Sequence, residues 1–110
     1  MIQKLLLAVL FALSVHAQDA ENGKRIFMKV GCYECHGTVG QGTIAGPRIG
    51  PPRLNAQSLI RYVRRPAGQM PAFTDKVMSD QDLTDVYAFL KTIPPAKPSK
   101  DIPLLNDLQK

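Results

Sequence analysis

Hydrophobic positions recur at helical spacing in three stretches of the chain. Ala20, Gly23, Phe27 and Val30 share one side of a helix predicted from Ala20 to about Val30, with Asp19 as its cap and Glu21 near its positive end. Gly23 lies inside that helix, where glycine costs about 1 kcal/mol relative to alanine, so close packing against another helix is its expected role. A second helix is predicted from Ala56 to Arg65, capped by Asn55, with Leu59, Tyr62 and Val63 on its apolar side and Pro66 ending it. The third begins at Asp80. Ser79 to Asp82 form a capping box with aspartate in the less usual fourth place, and Met78 with Leu83 suits a hydrophobic staple. Its inward residues are Val86, Phe89, Leu90 and Ile93, and Pro94-Pro95 forbids continuation beyond Thr92 or Ile93. Between the first two helices, Gly37 to Gly42, Gly46-Pro47, Gly50, Pro51 and Pro52 predict a long loop. After Ile93 no clear periodicity remains, although Ile102, Leu104, Leu105 and Leu108 are expected to lie along the domain surface. The pattern is that of an all-α fold.

The amino terminus reads differently. Met1 to Lys4 give a short positive start, Leu5 to Val15 an apolar run, and Val15-His16-Ala17 a cleavage site. Residues 1–17 are therefore read as a cleaved signal peptide, 18–95 as the folded domain and 96–110 as a carboxy-terminal tail. The apolar run is well short of the roughly 20 residues a spanning helix needs. No cysteine near the cleavage point accepts a lipid, so no stable membrane insertion is expected after processing. Export then places the chain in the periplasm.

A processed chain of this size has a thin apolar core, which a buried cofactor would supplement. Thirteen of the 14 basic side chains and all 9 acidic ones lie beyond residue 17, a mild positive balance. Without tryptophan or a basic run interleaved with aromatic residues, the chain lacks the stacking and phosphate-neutralising features of nucleic-acid binders.

The chemistry concentrates at Cys32-Tyr33-Glu34-Cys35-His36. C-x-x-C-H is the attachment pattern for c-type haem: one tight turn presents both thiols to the two vinyl groups, and the adjacent imidazole reaches the iron. A plain Cys32–Cys35 disulfide would leave His36 and the glycine-rich loop unexplained. A thioredoxin-like site would want a βαβ pattern around the motif, and structural zinc would want four ligands, more than the processed chain offers. His36 is the one histidine beyond residue 17, so the sixth iron position falls to a methionine, to another weak ligand or to none. Met28 sits on the first helix and Met78 serves the staple, both as core residues, whereas Met70 lies in a loop between Gly68-Gln69 and Pro71. Met70 is the favoured ligand, and core filling is its other reading.

The stretch from Asp19 to His36, the glycine loop, Gly46-Pro47, Met70-Pro71-Ala72-Phe73 and the last helix together resemble class I cytochrome c, over roughly Asp19 to Ile93. The resemblance implies about three main helices wrapped around one haem c, attached through Cys32 and Cys35 and ligated by His36 and Met70. It also implies a helix crossing at Gly23, Phe27 and Phe89. A proline carbonyl would bond the free nitrogen of His36, with Pro47 at the matching position and Pro51 as the fallback. Only 34 positions separate His36 from Met70 and tryptophan is missing, so the compact bacterial type fits better than the mitochondrial one.

Two permanent axial ligands leave no place for a substrate. The expected role is a single-electron carrier, not an enzyme, serving redox proteins such as a dehydrogenase or an oxidase, as a monomer or as a subunit of an electron-transfer complex. The other reading is a haem enzyme subunit or a gas or redox sensor with a displaceable sixth ligand. Between Glu34 and Asp75 every charged side chain is an arginine: Arg48, Arg53, Arg61, Arg64 and Arg65. That surface either steers an acidic partner or is a solvated face, and Arg48 and Arg53 are candidates to neutralise the haem propionates.

Overall fold

The computed structural model describes residues 18–108. The predicted signal peptide lies outside the described residues. Five α-helices follow in order: α1 (Ala20–Val30), α2 (Cys32–His36), α3 (Ala56–Arg64), α4 (Asp80–Lys91) and α5 (Pro103–Asp107), with a 3-10 turn at Ser99–Asp101. Among the described residues there is no β-strand, only an isolated bridge between Thr43 and Gly46.

The helix ends follow local chemistry. Asp19 Oδ1 accepts the Asn22 amide at 2.9 Å, Asn55 Oδ1 accepts that of Ser58 at 2.9 Å, and both satisfy donors that a helix start leaves orphaned. At α4 the capping box is complete in both directions: Ser79 Oγ accepts from Asp82, and the Asp82 carboxylate accepts from Ser79. Gly31, with φ of +90°, closes α1 and opens α2, so one residue turns the chain from the first helix into the cysteine motif.

Helices α1 and α4 cross at close range. Phe27 and Phe89 meet edge to face with centroids 5.4 Å apart, and a Cβ on Gly23 would stand 1.9 Å from the Asp85 carbonyl oxygen. Phe27, Val86, Phe89 and Leu90 form one buried cluster. Ile60, Val63, Met78 and Leu83 form a second, which joins α3 to α4, while half-buried Ile26 and Leu59 touch both. The Asp85 carboxylate is buried between the helices and accepts from the Asp19 backbone amide at 3.0 Å, Asn22 Nδ2 at 2.9 Å and Gln81 Nε2 at 3.0 Å.

Four expectations need correcting. Met28 is exposed at 37% and is not core, because it sits about 100° around α1 from buried Phe27. Tyr62, placed on the apolar side of α3, is 43% exposed, and Ile60 fills that face with Val63. Helix α3 ends at Arg64, one residue early, with Arg65 as its cap. The tail forms the 3-10 turn and α5, yet among the described elements α5 contacts only that turn, and Leu104, Leu105 and Leu108 stay exposed.

Candidate functional site

Helix α2 is one turn and a half, with Cys32 and Cys35 three positions apart and His36 next to Cys35, so the three side chains leave the same turn. Both cysteines are free thiols. Cys32 is half-buried beside the Phe27 cluster, Cys35 is exposed, and His36 is half-buried. Burial pushes the Cys32 thiol above its ordinary pKa, with a smaller opposing pull from its own backbone amide. That direction disfavours the thiolate that redox exchange or metal binding needs. A thioether, which carries no charge, suits the same burial.

The loop after α2 folds back over the turn. Gly42 N–H donates to the His36 carbonyl at 2.7 Å, and the Thr43 hydroxyl donates to the Cys35 carbonyl. Thr43 N–H bonds the Gly46 carbonyl at 2.9 Å, which brings Gly46 against the motif: a Cβ there would lie 2.9 Å from the Cys35 carbonyl oxygen and 3.2 Å from His36 Nδ1. The next residue presents its carbonyl, and His36 Nδ1 lies 2.8 Å from the Pro47 oxygen. A carbonyl only accepts, so the bond requires the proton on Nδ1 and leaves the Nε2 lone pair free. Pro47, not Pro51, supplies the contact.

Met70 lies elsewhere, on the loop between α3 and α4, half-buried with Phe73 against Ile60, Val63, Met78 and Leu83. Phe73 N–H donates to the Val63 carbonyl at 3.1 Å. The Phe73 carbonyl accepts from Arg64 Nη1 at 3.1 Å, and Arg64 Nη2 reaches Asp80 Oδ1 at 2.7 Å. Arg48 Nη2 donates to the Pro94 carbonyl at 2.7 Å, joining the loop to the end of the domain, and Arg53 is exposed. A shallow groove on the outer side of α3 holds Arg61, Arg64 and Arg65 with Asp75 and Asp80.

Sequence reasoning brought Cys32, Cys35, His36, Pro47 and Met70 into view. It missed Thr43, Arg64 and Asp85. Nothing in spacing marks a threonine that bonds a carbonyl eight residues back. Arg64 read only as one of five arginines on a surface that either steers a partner or is a solvated face.

Two thiols and a carbonyl-locked imidazole on one turn, with a thioether on the loop beyond, make the donor set that fits a c-type haem in an all-α domain. Comparison with known proteins agrees: residues 18–90 match the family described as "Cytochrome C oxidase, cbb3-type, subunit III", and the chain belongs to that family of c-type cytochrome domains. It is similar to cytochrome c oxidase subunit 2 of Alkalihalophilus pseudofirmus, 29% identical over an 89-residue alignment that covers 67% of this chain and 25% of that protein. The chain thus spans about a quarter of that relative's length. No solved structure matches it. The fold is the all-α cytochrome c fold, and the family ties it to haem and electron transfer. No helix among the described residues is long and apolar enough to cross a membrane.

Proposed function

We propose that this chain is a periplasmic single-electron carrier that holds one haem c through thioethers at Cys32 and Cys35, with His36 Nε2 and Met70 Sδ as axial ligands. When bound, the haem supplies a one-electron ferric/ferrous couple. The observation that carries the reading is the 2.8 Å contact of His36 Nδ1 with the Pro47 carbonyl beside two free thiols. It fixes the tautomer and orientation of the ring and raises its basicity as a ligand. Cys32 and Met70 each pack half-buried against an apolar cluster, which supplies apolar surface beside both groups. Were His36 and Met70 both to hold the iron, no position would remain for a substrate, and the protein would transfer electrons without catalysing a reaction of its own. Its partners are redox proteins of an electron-transfer complex. A terminal oxidase comes first among them, because family and relative both carry an oxidase subunit's description.

The test is spectroscopic. The full chain, expressed with haem-ligation machinery, is expected to keep its colour in acid acetone and to gain the mass of one haem. Its ferric form should show the weak far-red band of sulfur ligation, which Met70→Ala abolishes while Met28→Ala and Met78→Ala retain it. Carbon monoxide binding by the reduced wild type would replace this reading with a sensor or enzyme that has a displaceable ligand. A bare polypeptide mass would end the haem reading altogether.

A further inference from the structure

The segment that carries Met70 is fastened at both ends to the helix it leaves. At its start, Ala67 N–H donates to the Tyr62 hydroxyl at 3.4 Å. At its end, Phe73 is held on both backbone groups, its N–H by the Val63 carbonyl at 3.1 Å and its carbonyl by Arg64 Nη1 at 3.1 Å. The other arm of the same guanidinium reaches Asp80, the first residue of α4, at 2.7 Å. Met70 is three residues from each fastening, and three residues extend at most about 11 Å. Its travel is therefore set by how firmly the two ends hold, and Arg64 supplies the side-chain bond at the Phe73 end, beside the backbone bond to Val63.

We propose that Arg64 is the positioning residue for the Met70 ligand: by clamping the Phe73 end of the loop to α3 and α4, it opposes replacement of the Met70 sulfur by competing ligands. The proposal rests on the ligand assignment made above. A planar guanidinium serves two acceptors in a fixed fork, which an ammonium on a flexible stem cannot copy. The two bonds differ in weight. The Arg64 side chain is 21% exposed and that of Asp80 74%, so solvent screens the ion pair and the shielded bond to the Phe73 carbonyl dominates.

Imidazole titrated into the ferric, haem-loaded full chain, followed by loss of the far-red band, tests the clamp. Arg64→Ala should raise the apparent imidazole affinity about tenfold, the effect of losing one charge-assisted hydrogen bond. Arg64→Lys should give a smaller rise, and Asp80→Asn less than about threefold. Asp19→Ala weakens the α1 cap, so it should lower thermal stability while leaving the imidazole affinity at the wild-type value. Wild-type affinity in Arg64→Ala overturns the clamp, and so does an equal rise in Asp19→Ala, which would mark a general loss of stability. Should Arg64→Ala fail to fold, Arg64→Lys and Asp80→Asn decide, and wild-type affinity in both rejects the proposal. A wild type with no far-red band rejects the Met70 assignment and the clamp together. That outcome is distinct from a band present with imidazole affinity unmoved.

Discussion

At the scale of single residues, the site depends on how closely one backbone passes another. Gly46 brings Pro47 to His36 because it has no side chain to keep the two apart. An added Cβ would sit 2.9 Å from the Cys35 carbonyl oxygen and 3.2 Å from His36 Nδ1, tighter than either neighbour can accept without moving. Gly46→Ala should therefore lengthen the Nδ1–O bond and lose about 1–3 kcal/mol of stability to overpacking. A less basic imidazole stabilises ferric iron less, so the reduction potential of the loaded protein should rise. Potentiometric titration checks this, and an unchanged potential would separate the Pro47 bond from the tuning of the site. The cysteine motif was legible because its chemistry is local, five consecutive residues on one turn. Pro47 emerged only through family likeness, since eleven residues and a glycine loop lie between it and His36.

At the scale of elements, the crossing of α1 and α4 combines a steric fit with a buried charge. Gly23→Ala would gain about 1 kcal/mol in helix propensity. Against that, its Cβ would collide with the Asp85 carbonyl oxygen at 1.9 Å, and backbone cannot yield as a flexible side chain does. Overpacking of this kind costs about 3 kcal/mol, so the net effect is a fall of about 10 °C in the thermal midpoint. Asp85 adds a pH dependence. Burial raises its pKa, but the donors from Asp19, Asn22 and Gln81 outweigh that and hold the carboxyl below the usual carboxylate range. The unfolded chain, with an ordinary aspartate near pKa 3.9, then binds the proton more readily than the fold does. Its stabilisation is thus complete above about pH 4 and fades as pH falls through the lower folded value. Urea unfolding at about pH 6 and about pH 3 should show a larger acid loss in wild type than in Asp85→Asn, and equal losses would remove Asp85 as the cause. The helices themselves were readable from Asp19, Asn55 and the Ser79 box, whose caps act over three residues. The inner face of α4 was read as apolar alone, and Asp85 escaped notice because its partners lie on another helix and on its own preceding turn.

At the scale of the whole molecule, the folded body closes on itself before the chain ends. Arg48 reaches across 46 positions to the Pro94 carbonyl at 2.7 Å and ties the glycine loop to the end of α4. Beyond that point, among the described elements, α5 contacts only the 3-10 turn before it. Propensity could not announce these short tail elements, because a helix of five residues has no apolar face to repeat. The leucines were expected to lie along the domain surface, but among the described elements their helix contacts only the 3-10 turn, and Leu104 and Leu108 stay largely exposed. A chain ending at Ala96 keeps the Arg48–Pro94 bond and all the contacts among α1 to α4. Its thermal midpoint should stay within about 3 °C of the full chain, as for changes that touch no buried contact. Arg48→Ala, which removes an exposed bond, should cost about 1 kcal/mol in either length. The two costs should add, since no element contact joins α5 to α1, α2, α3 or α4. A truncation that lowers stability by much more, or that changes the cost of Arg48→Ala, would show that the tail packs against the body in solution.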